Sequence, residues 1–370
     1  MSRPIIAHIH TDAMAHNLAL VRAYAPKAKV WSVIKANAYG HTIEAAARGF
    51  AATDGFALLD LAEAKRLRET GWQGPILLLE GLFAQEDLFA MRDLACDCVV
   101  HEWRQVDWLE NMVDAPQFSG ARPHIYLKMN TGMNRLGFRP DDYLQVWQRL
   151  HGLGFEITHM THFANADYDD RQPSVDAQYQ TLEKVVADLP GLRTVANSAT
   201  LIWHPQIPSD WVRPGIMLYG ASPSGASSDI EGLGLKPTMS LRSEVIALQH
   251  LSAGESVGYG SRYKTDVPIR IAVVACGYAD GYPRHAADGT PVWISGPAGQ
   301  WSTGRSCPMA GQVSMDMITI DVSDAPWVDV GTPVELFGQY LAIDDVANAS
   351  GTIGYELMCA IAQRVPYQIR

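Results

Sequence analysis

Short apolar segments alternate with helix-like stretches from about residue 30 to residue 220. Each apolar segment is rich in strand-forming residues, and turn residues separate it from the next stretch. This alternation is typical of parallel α/β proteins, in which a helix connects each strand to its neighbour. Seven strands are predicted, over residues 30–34, 56–59, 76–79, 98–100, 124–129, 157–162 and 193–196. An eighth strand, either 211–213 or 216–219, would close a (β/α)8 barrel.

Residues 61–69 and 141–150 place apolar side chains three and four positions apart, which predicts amphipathic outer helices. After residue 220 the pattern changes, because the segment ASPSGASSDIEGLGLKP is rich in small and turn residues. Beyond it, the sequence predicts strands over 238–246, 269–275, 292–294, 317–322 and 333–337, and a short closing helix over 353–365. We therefore expect an α/β fold with an N-terminal (β/α)8, TIM-like barrel over 1–234 and a C-terminal, mainly β domain over 235–370. An extreme N-terminal strand could pair with the second domain.

Composition excludes several classes of protein. With 47% hydrophobic residues the chain is not mainly disordered. Its net charge of −11 and its lack of a basic run argue against nucleic acid or an anionic membrane as a partner. The five scattered cysteines predict reduced thiols. No secretory signal is evident at the start and no segment approaches about 18 consecutive apolar residues, so we expect a soluble cytoplasmic protein.

Candidate functional residues recur at the carboxyl ends of the predicted strands, where barrels place their working side chains. Lys35 ends the first strand and His162 the sixth; Ser198 follows the seventh, and Arg213 ends one choice of eighth strand. A single lysine at a strand end usually extends its ammonium into water. At the mouth of a barrel, a partly desolvated lysine becomes an amine able to form a Schiff base.

The segment around Lys35, VIKANAYGH, resembles the pyridoxal phosphate lysine motif of the alanine racemases. Further segments match blocks of that family in order and spacing, from about residue 5 to residue 367. They are KMNTGMNRLGF, MTHFANAD, ANSA, VRPGIMLYG, VGYG, GYADGYPR, GQVSMD and GTIGYEL.

The resemblance implies a pyridoxal 5'-phosphate cofactor bound through Lys35. Its phosphate would be held by Tyr39, Ser198, Tyr355 and the amides of Gly215 and Ile216. Because Gly215 would then open a helix, the resemblance favours 211–213 as the eighth strand. Arg213 would face the pyridine nitrogen, and an arginine cannot accept a proton from it. This suits a racemase better than a transaminase or a decarboxylase.

Racemisation requires a proton to leave one face of the α-carbon and another to arrive on the opposite face. The resemblance assigns these steps to Lys35, acting on D-alanine, and Tyr278, acting on L-alanine. In the family, Tyr278 comes from the other subunit of a head-to-tail homodimer and is linked through His162 to Arg213. Arg135, which also approaches the cofactor, and the amide of Met315 would hold the substrate carboxylate. Lys128 matches a lysine that is often carbamylated and orients that arginine.

The sequence departs from the family pattern at several positions. Asn130 replaces a common aspartate, which puts the charge around Arg135 and the carbamylation of Lys128 in doubt. The other departures, which remove no proton-transfer group, are Thr42, Gln312 and Ser314. No metal is expected: His159 and His162 would point to opposite faces of a strand, and Cys96 and Cys98 lack further ligands.

We expect an isomerase that interconverts L-alanine and D-alanine, supplying D-alanine for peptidoglycan or L-alanine for catabolism. Two alternatives remain open at this point. One is a serine or broader-specificity racemase of the same fold, since sequence does not give pocket size. The other is a non-catalytic pyridoxal phosphate-binding barrel, which the presence of Tyr278 and Met315 argues against.

Overall fold

The computed structural model describes residues 3–113 and 122–370, and the chain forms two compact units. The first, called the barrel unit, contains Leu18–Ala38 and Thr42–Leu218. The second, called the β-rich unit, contains Met1–Asn17, Tyr39–His41 and Tyr219–Arg370. Strand β1 (Ile6–Ile9) belongs to the β-rich unit, and helix α1 (Thr11–Tyr24) leads from it into the barrel unit.

The barrel unit contains, among its described residues, a parallel sheet of eight strands. They follow one another in chain order, and the last pairs with the first. Their bounds are β2 Lys29–Val33, β3 Gly55–Leu58, β4 Ile76–Leu78, β5 Asp97–Val100, β6 Ile125–Lys128, β7 Ile157–Met160, β8 Arg193–Thr194 and β9 Trp211–Val212.

Backbone hydrogen bonds nearly close this sheet into a barrel between β8 and β9. The Asp210 amide donates to the Arg193 carbonyl at 2.9 Å, and the Arg213 amide donates to the Ala196 carbonyl at 2.8 Å. The predicted (β/α)8 fold is therefore confirmed. Of the two choices for the eighth strand, 211–213 is confirmed by β9, and 216–219 is wrong because Ile216–Tyr219 forms a short 3-10 turn.

The barrel strands are almost entirely buried, as expected when helices cover one face and side chains fill the other. Trp31 of β2 stacks on Trp211 with ring centroids 4.4 Å apart and meets the edge of Tyr126 at 5.8 Å. Since Tyr126 lies on the non-adjacent strand β6, these rings fill the barrel interior. Gly55 is paired with Trp31, and a Cβ there would lie 2.2 Å from the indole ring, so this position requires glycine.

The connections between barrel strands are mainly helical. The two predicted amphipathic helices are confirmed as α4 (Leu61–Glu69) and α7 (Pro140–Gly152). Asp60 caps the N-terminus of helix α4, because its carboxylate accepts from the Ala62 amide at 2.6 Å, and the helix buries Ala64 and Leu67. The connecting elements are α2 Lys35–Tyr39, a left-handed turn described below, α3 Ile43–Gly49, α4 Leu61–Glu69, α5 Asp87–Asp93, α6 Trp103–Val113, α7 Pro140–Gly152, α8 Val175–Val186 and α9 Ser198–Trp203.

The β-rich unit is built on a second, mainly antiparallel sheet. Strand β1 pairs antiparallel with β10 (Met239–Leu251) and parallel with β18 (Tyr367–Ile369). The other strands are β11 Ser256–Val257, β12 Tyr263–Lys264, β13 Ile269–Val274, β14 Pro291–Ile294, β15 Arg305–Pro308, β16 Ile318–Asp321 and β17 Pro333–Phe337, and the helices are α10 Ser227–Gly232, α11 Ile343–Ala349 and α12 Gly354–Cys359.

Two predictions for this unit need correction. The strand predicted to end at residue 246 continues to Leu251, because a register shift between Val245 and Ala247 passes its pairing from β17 to β13. The predicted closing helix is shorter, because α12 ends at Cys359 and the chain then forms strand β18. None of the helices in the described ranges is long and apolar enough to cross a membrane.

Candidate active site

Four of the candidate residues lie where strands of the barrel unit end. Lys128 is the last residue of β6, and Arg213 directly follows β9. Lys35 and His162 each come two residues after a strand, β2 and β7 respectively. Because the carboxyl ends of parallel strands meet at one face of a barrel, these side chains gather there. They are close enough to perturb one another's ionisation.

Lys128 is buried at this face, in surroundings that disfavour its charge. Burial, followed by the charges of Arg213 and Arg135, lowers the pKa of Lys128 to about 8, although Glu80 opposes the shift. A substantial fraction of this lysine is therefore an uncharged amine slightly above neutral pH.

His162 and Arg213 respond to the same environment in different ways. Desolvation and the charges of Arg213 and Lys128 hold the pKa of His162 well below its usual range, so that its imidazole is neutral. Burial lowers the pKa of Arg213 to about 10, which leaves the guanidinium charged at neutral pH. Its Nη1 donates to Thr194 Oγ1 and its Nη2 to the Thr161 carbonyl, both at 2.7 Å. These bonds fix the orientation of the buried Arg213 guanidinium. Neither of the two partners is a carboxylate.

A group of donors suited to an anion lies beside β9. The hydroxyl of buried Ser198 accepts from the Gly215 amide at 2.9 Å and from the Met217 amide at 3.5 Å. Within the described part of the chain, the Ile216 amide between them donates to no other group. A neutral hydroxyl and converging amides can bind a phosphate without adding a mobile charge.

Lys35 is followed by a turn of unusual backbone geometry. Four consecutive residues, Ala36 to Tyr39, have φ angles between 50° and 56°, in the left-handed region. Side chains with a Cβ disfavour this region by roughly 1–2 kcal/mol per residue, so tertiary contacts must hold the turn. Glu63 Oε1 accepts from the Asn37 amide at 2.5 Å, and Arg66 donates to Asn37 Oδ1 at 3.0 Å. Helix α4, which carries both side chains, therefore stabilises the backbone next to Lys35.

Arg135 lies in an exposed loop after β6. Asn130 Oδ1 accepts from the Gly132 amide at 3.1 Å and from the Asn134 amide at 3.0 Å, which folds the loop into a tight turn. Asn130, noted above as a departure from the family, thus shapes the backbone that precedes Arg135.

The remaining candidates belong to the β-rich unit, where three tyrosines cluster. Tyr39 is buried and stacks on Tyr219 with ring centroids 4.5 Å apart, and its ring lies 5.9 Å from that of Tyr355. Burial raises the pKa of Tyr39 far above its usual range, so its hydroxyl stays protonated and can donate a hydrogen bond.

Tyr278 and Met315 lie on two loops of the β-rich unit that are in direct contact. The Tyr278 amide donates to the Ser314 carbonyl, and the Ala279 amide donates to the Met315 carbonyl, both at 3.0 Å. Tyr278 is 39% exposed and Met315 is 54% exposed. Among the described residues, the Met315 amide has no acceptor, which leaves it available to a ligand. The structure thus brings these two candidates together.

Residues that the sequence analysis did not single out support the turn after Lys35 and the loop of Tyr278. Glu63 and Arg66 hold the turn after Lys35, and Asp280 anchors the loop that carries Tyr278. Asp280 lies inside the matched segment GYADGYPR, and this position could have drawn attention to it. Its partner Arg364 could not be found in this way, because it lies 84 positions further along the chain.

His159 has a structural environment. Its ring contacts the Tyr143 hydroxyl at 2.8 Å and the Pro190 carbonyl at 3.2 Å, and burial lowers its pKa to about 4. In the ranges that the structure describes, no group of three or more His, Cys, Asp or Glu side chains is arranged to hold a metal ion.

Comparison with known proteins identifies the relatives of this chain. Residues 9–223 match the family model described as alanine racemase, N-terminal domain, and residues 238–369 match alanine racemase, C-terminal domain. A protein of Paraburkholderia phytofirmans named alanine racemase is 52% identical over 370 residues, which cover 99% of each chain.

Solved structures agree with this similarity. The biosynthetic alanine racemase from Pseudomonas aeruginosa is 39% identical, with a TM-score of 0.91, over 100% of this chain and 99% of that one. The alanine racemase from Bartonella henselae, solved with covalently bound pyridoxal phosphate, is 25% identical with a TM-score of 0.86, over 99% of each chain.

Proposed function

This chain belongs to the alanine racemase family, and we propose that it interconverts L-alanine and D-alanine with Lys35 and Tyr278 as bases and pyridoxal phosphate as cofactor. The observation that carries the site assignment is the group of cationic and anion-binding residues that follow the strands of the barrel unit, with Lys35 among them. No other candidate function is favoured by a specific contact.

The donor set of the barrel unit fits pyridoxal phosphate. Ser198 and the amides of Gly215 and Ile216 suit its phosphate, and the Ile216 amide has no acceptor within the described residues. The hydroxyls of Tyr39 and Tyr355 would complete the phosphate site. When bound, this cofactor withdraws electrons from the α-carbon of the attached amino acid and makes its proton removable.

Arg213 would meet the pyridine nitrogen of the cofactor. A guanidinium has only donors and does not release its proton near neutral pH, so it cannot stabilise a protonated ring nitrogen as a carboxylate does. The bonds to Thr194 and Thr161 keep Arg213 in place. This arrangement favours brief, reversible proton transfer and disfavours the side reactions that a stronger electron sink would allow.

Two groups would hold the carboxylate of alanine. Arg135 provides a positive charge from the loop after β6, and the Met315 amide, which has no acceptor among the described residues, provides a neutral donor. Carboxylate recognition by an arginine and an amide fixes the orientation of the α-carbon between the two bases.

Lys35 and Tyr278 would act on opposite faces of that carbon. Lys35 removes the α-proton of D-alanine and returns a proton in the reverse reaction, and Tyr278 does the same for L-alanine. The partly exposed position of Tyr278 agrees with a role towards a second subunit. We propose a homodimer in which each site combines Lys35 of one protomer with the Tyr278 loop of its partner.

Lys128 is a candidate for carbamylation by carbon dioxide. The reaction requires an uncharged amine, and the pKa of about 8 provides one. The resulting carbamate is an anion, which would relieve the repulsion among Lys128, Arg135 and Arg213. A carbamate next to Arg135 would orient its guanidinium.

The cellular location, the roles of the two parts of the chain and the physiological product are also proposed. The buried cysteines Cys96, Cys98, Cys276 and Cys307 are free thiols, which supports the proposal of a reducing, cytoplasmic location. The cofactor would be held mainly by residues 1–234 and the second base carried by 235–370. The product would be D-alanine for peptidoglycan or, in the reverse role, L-alanine for catabolism.

Racemisation of alanine, serine and a few larger amino acids by the purified protein tests the proposed activity. Alanine should be the fastest substrate, and equal rates with serine would favour a broader-specificity racemase. Borohydride reduction followed by peptide mapping tests the cofactor site. The cofactor should remain on Lys35, and its recovery on another lysine would overturn the assignment.

A further inference from the structure

The loop of Tyr278 and the loop of Met315 are packed backbone to backbone. Beyond the two amide hydrogen bonds described above, Gly277 brings the loops so close that a Cβ would lie 2.4 Å from the Ser314 and Met315 carbonyl oxygens. Any displacement of one loop therefore displaces the other. The proposed second base and one proposed carboxylate donor are coupled mechanically.

A buried carboxylate anchors the first of these loops. Asp280, two residues after Tyr278, has no exposed side-chain surface. Its Oδ2 accepts from the Gly277 amide at 2.9 Å, and Arg3 donates to both of its oxygens, at 2.7 and 3.1 Å. Arg364 Nε adds a further bond to Oδ1 at 2.8 Å. Burial alone would raise the pKa of Asp280, but the bonds from Arg3, Arg364 and Gly277 outweigh it and lower that pKa.

The same two arginines also hold the second loop. Arg364 Nη2 donates to the carboxylate of Asp316 at 2.6 Å, and Arg3 Nη2 donates to the Asp316 carbonyl at 2.8 Å. Asp316 directly follows Met315. Each arginine therefore bridges the loop of Tyr278 and the loop of Met315, and Asp280 is the charge on which both bridges depend.

We propose that Asp280, together with Arg3 and Arg364, is a positioning residue for proton transfer by Tyr278. It acts through the backbone of the loop and touches neither substrate nor cofactor. The inference rests on the proposed role of Tyr278 as second base. A reacting group misplaced by about 1 Å can slow catalysis by about a hundredfold, so a small shift of this loop has a measurable effect.

A positioning role differs from simple stabilisation in its effect on the two faces of the α-carbon. Exchange of the α-hydrogen of D-alanine in D2O requires only Lys35, whereas racemisation also requires Tyr278. A variant that merely unfolds part of the protein lowers the rate of D-alanine exchange and the rate of racemisation by the same factor. A variant that moves Tyr278 lowers racemisation much more than D-alanine exchange.

Proton NMR in D2O measures exchange of the α-hydrogen, and a chiral assay measures racemisation. Both are applied to the holoenzyme of the wild type, Asp280→Asn, Arg364→Gln and Tyr278→Phe. Arg364 is partly exposed, so its replacement provides a readout even where Asp280→Asn does not fold. Glu335→Gln is the matched control, because Glu335 is a fully buried carboxylate of the same unit, paired with Arg242 and without a bond to either loop. Arg364→Lys tests rescue, since it retains the charge.

We expect Asp280→Asn and Arg364→Gln to lower racemisation roughly ten- to a hundredfold and to raise the ratio of D-alanine exchange to racemisation. Arg364→Lys should recover part of that loss, and Glu335→Gln should leave the ratio at its wild-type value. Proportional loss of both rates in the two variants, or no loss, would overturn the positioning role. A wild-type ratio in Tyr278→Phe would instead refute Tyr278 as the second base, so the two failures are distinguishable.

Discussion

Replacing Lys128 with methionine removes a charge that the fold disfavours. Burial and the neighbouring arginines lower the pKa of Lys128 from 10.5 to about 8, so the folded protein binds this proton more weakly than the unfolded chain does. By linkage, protonation of Lys128 lowers the free energy of unfolding by about 3 kcal/mol at neutral pH. The penalty is fully present below the folded pKa and disappears as pH rises from about 8 towards 10.5.

Lys128→Met should therefore be more stable than the wild type at about pH 7, by up to about 3 kcal/mol. Between about pH 7 and pH 9.5 the wild type should recover about 2 kcal/mol relative to the variant. Urea denaturation of both holoenzymes in buffer free of carbon dioxide, at one protein concentration, measures this difference. The variant should also racemise alanine more slowly, because Arg135 loses its proposed carbamate partner.

Bicarbonate provides the second arm of the experiment. A carbamate on Lys128 would replace a disfavoured cation by an anion among arginines, so added bicarbonate should stabilise the wild type and leave Lys128→Met unchanged. Parallel pH dependence of the two proteins would refute the lowered pKa of Lys128. Equal effects of bicarbonate on both would refute carbamylation at this site.

Substitutions at three further positions test single contacts. Ser198→Ala should weaken retention of pyridoxal phosphate by roughly tenfold, since one hydrogen bond to a charged group is lost; absorbance titration measures it, and unchanged affinity would contradict the proposed phosphate site. Glu63→Ala leaves the Asn37 amide without its acceptor and should cost about 1–3 kcal/mol in chemical denaturation, whereas Glu63→Gln retains an acceptor oxygen and most of the stability. Equal losses in the two Glu63 variants would disprove that reasoning. Gly277→Ala places a Cβ against the carbonyls of the neighbouring loop and should lower kcat, and a wild-type kcat would show that the loops can separate.

Features that depend on local sequence were predicted well. The periodic apolar segments gave seven of the barrel strands to within a few residues, and the position of Lys35 after β2 follows from them. A predicted strand is too long where backbone amides donate to a side chain instead of a neighbouring strand. Residues 195 and 196 were predicted as strand, but their amides donate to the hydroxyl of Ser209 instead, at 3.0 and 3.4 Å.

The left-handed turn after Lys35 could not be derived from residue preferences. Ala36, Asn37 and Ala38 carry side chains that ordinarily favour right-handed backbone, and only distant contacts such as that from Glu63 hold them otherwise. Resemblance to a family identified the motif, but the geometry required the structure.

Contacts between residues far apart in the sequence could not be predicted either. Asp280 is separated from Arg3 by 277 positions and from Arg364 by 84. No spacing rule joins such residues, because the fold alone brings them together. Strand β10 is longer than the sequence predicts for a related reason, since it changes pairing partners at a bulge.

The most direct test of the two-base assignment is proton exchange in Tyr278→Phe. Tyr340→Phe serves as the control, because Tyr340 is 38% exposed, close to the 39% of Tyr278, and its ring stacks near Trp293 and Trp301. With D-alanine in D2O, proton NMR follows loss of the α-hydrogen while a chiral assay follows formation of L-alanine. We predict that Tyr278→Phe retains exchange of D-alanine and loses racemisation in both directions, with Tyr340→Phe unchanged. Racemisation by Tyr278→Phe at the wild-type rate would contradict the assignment.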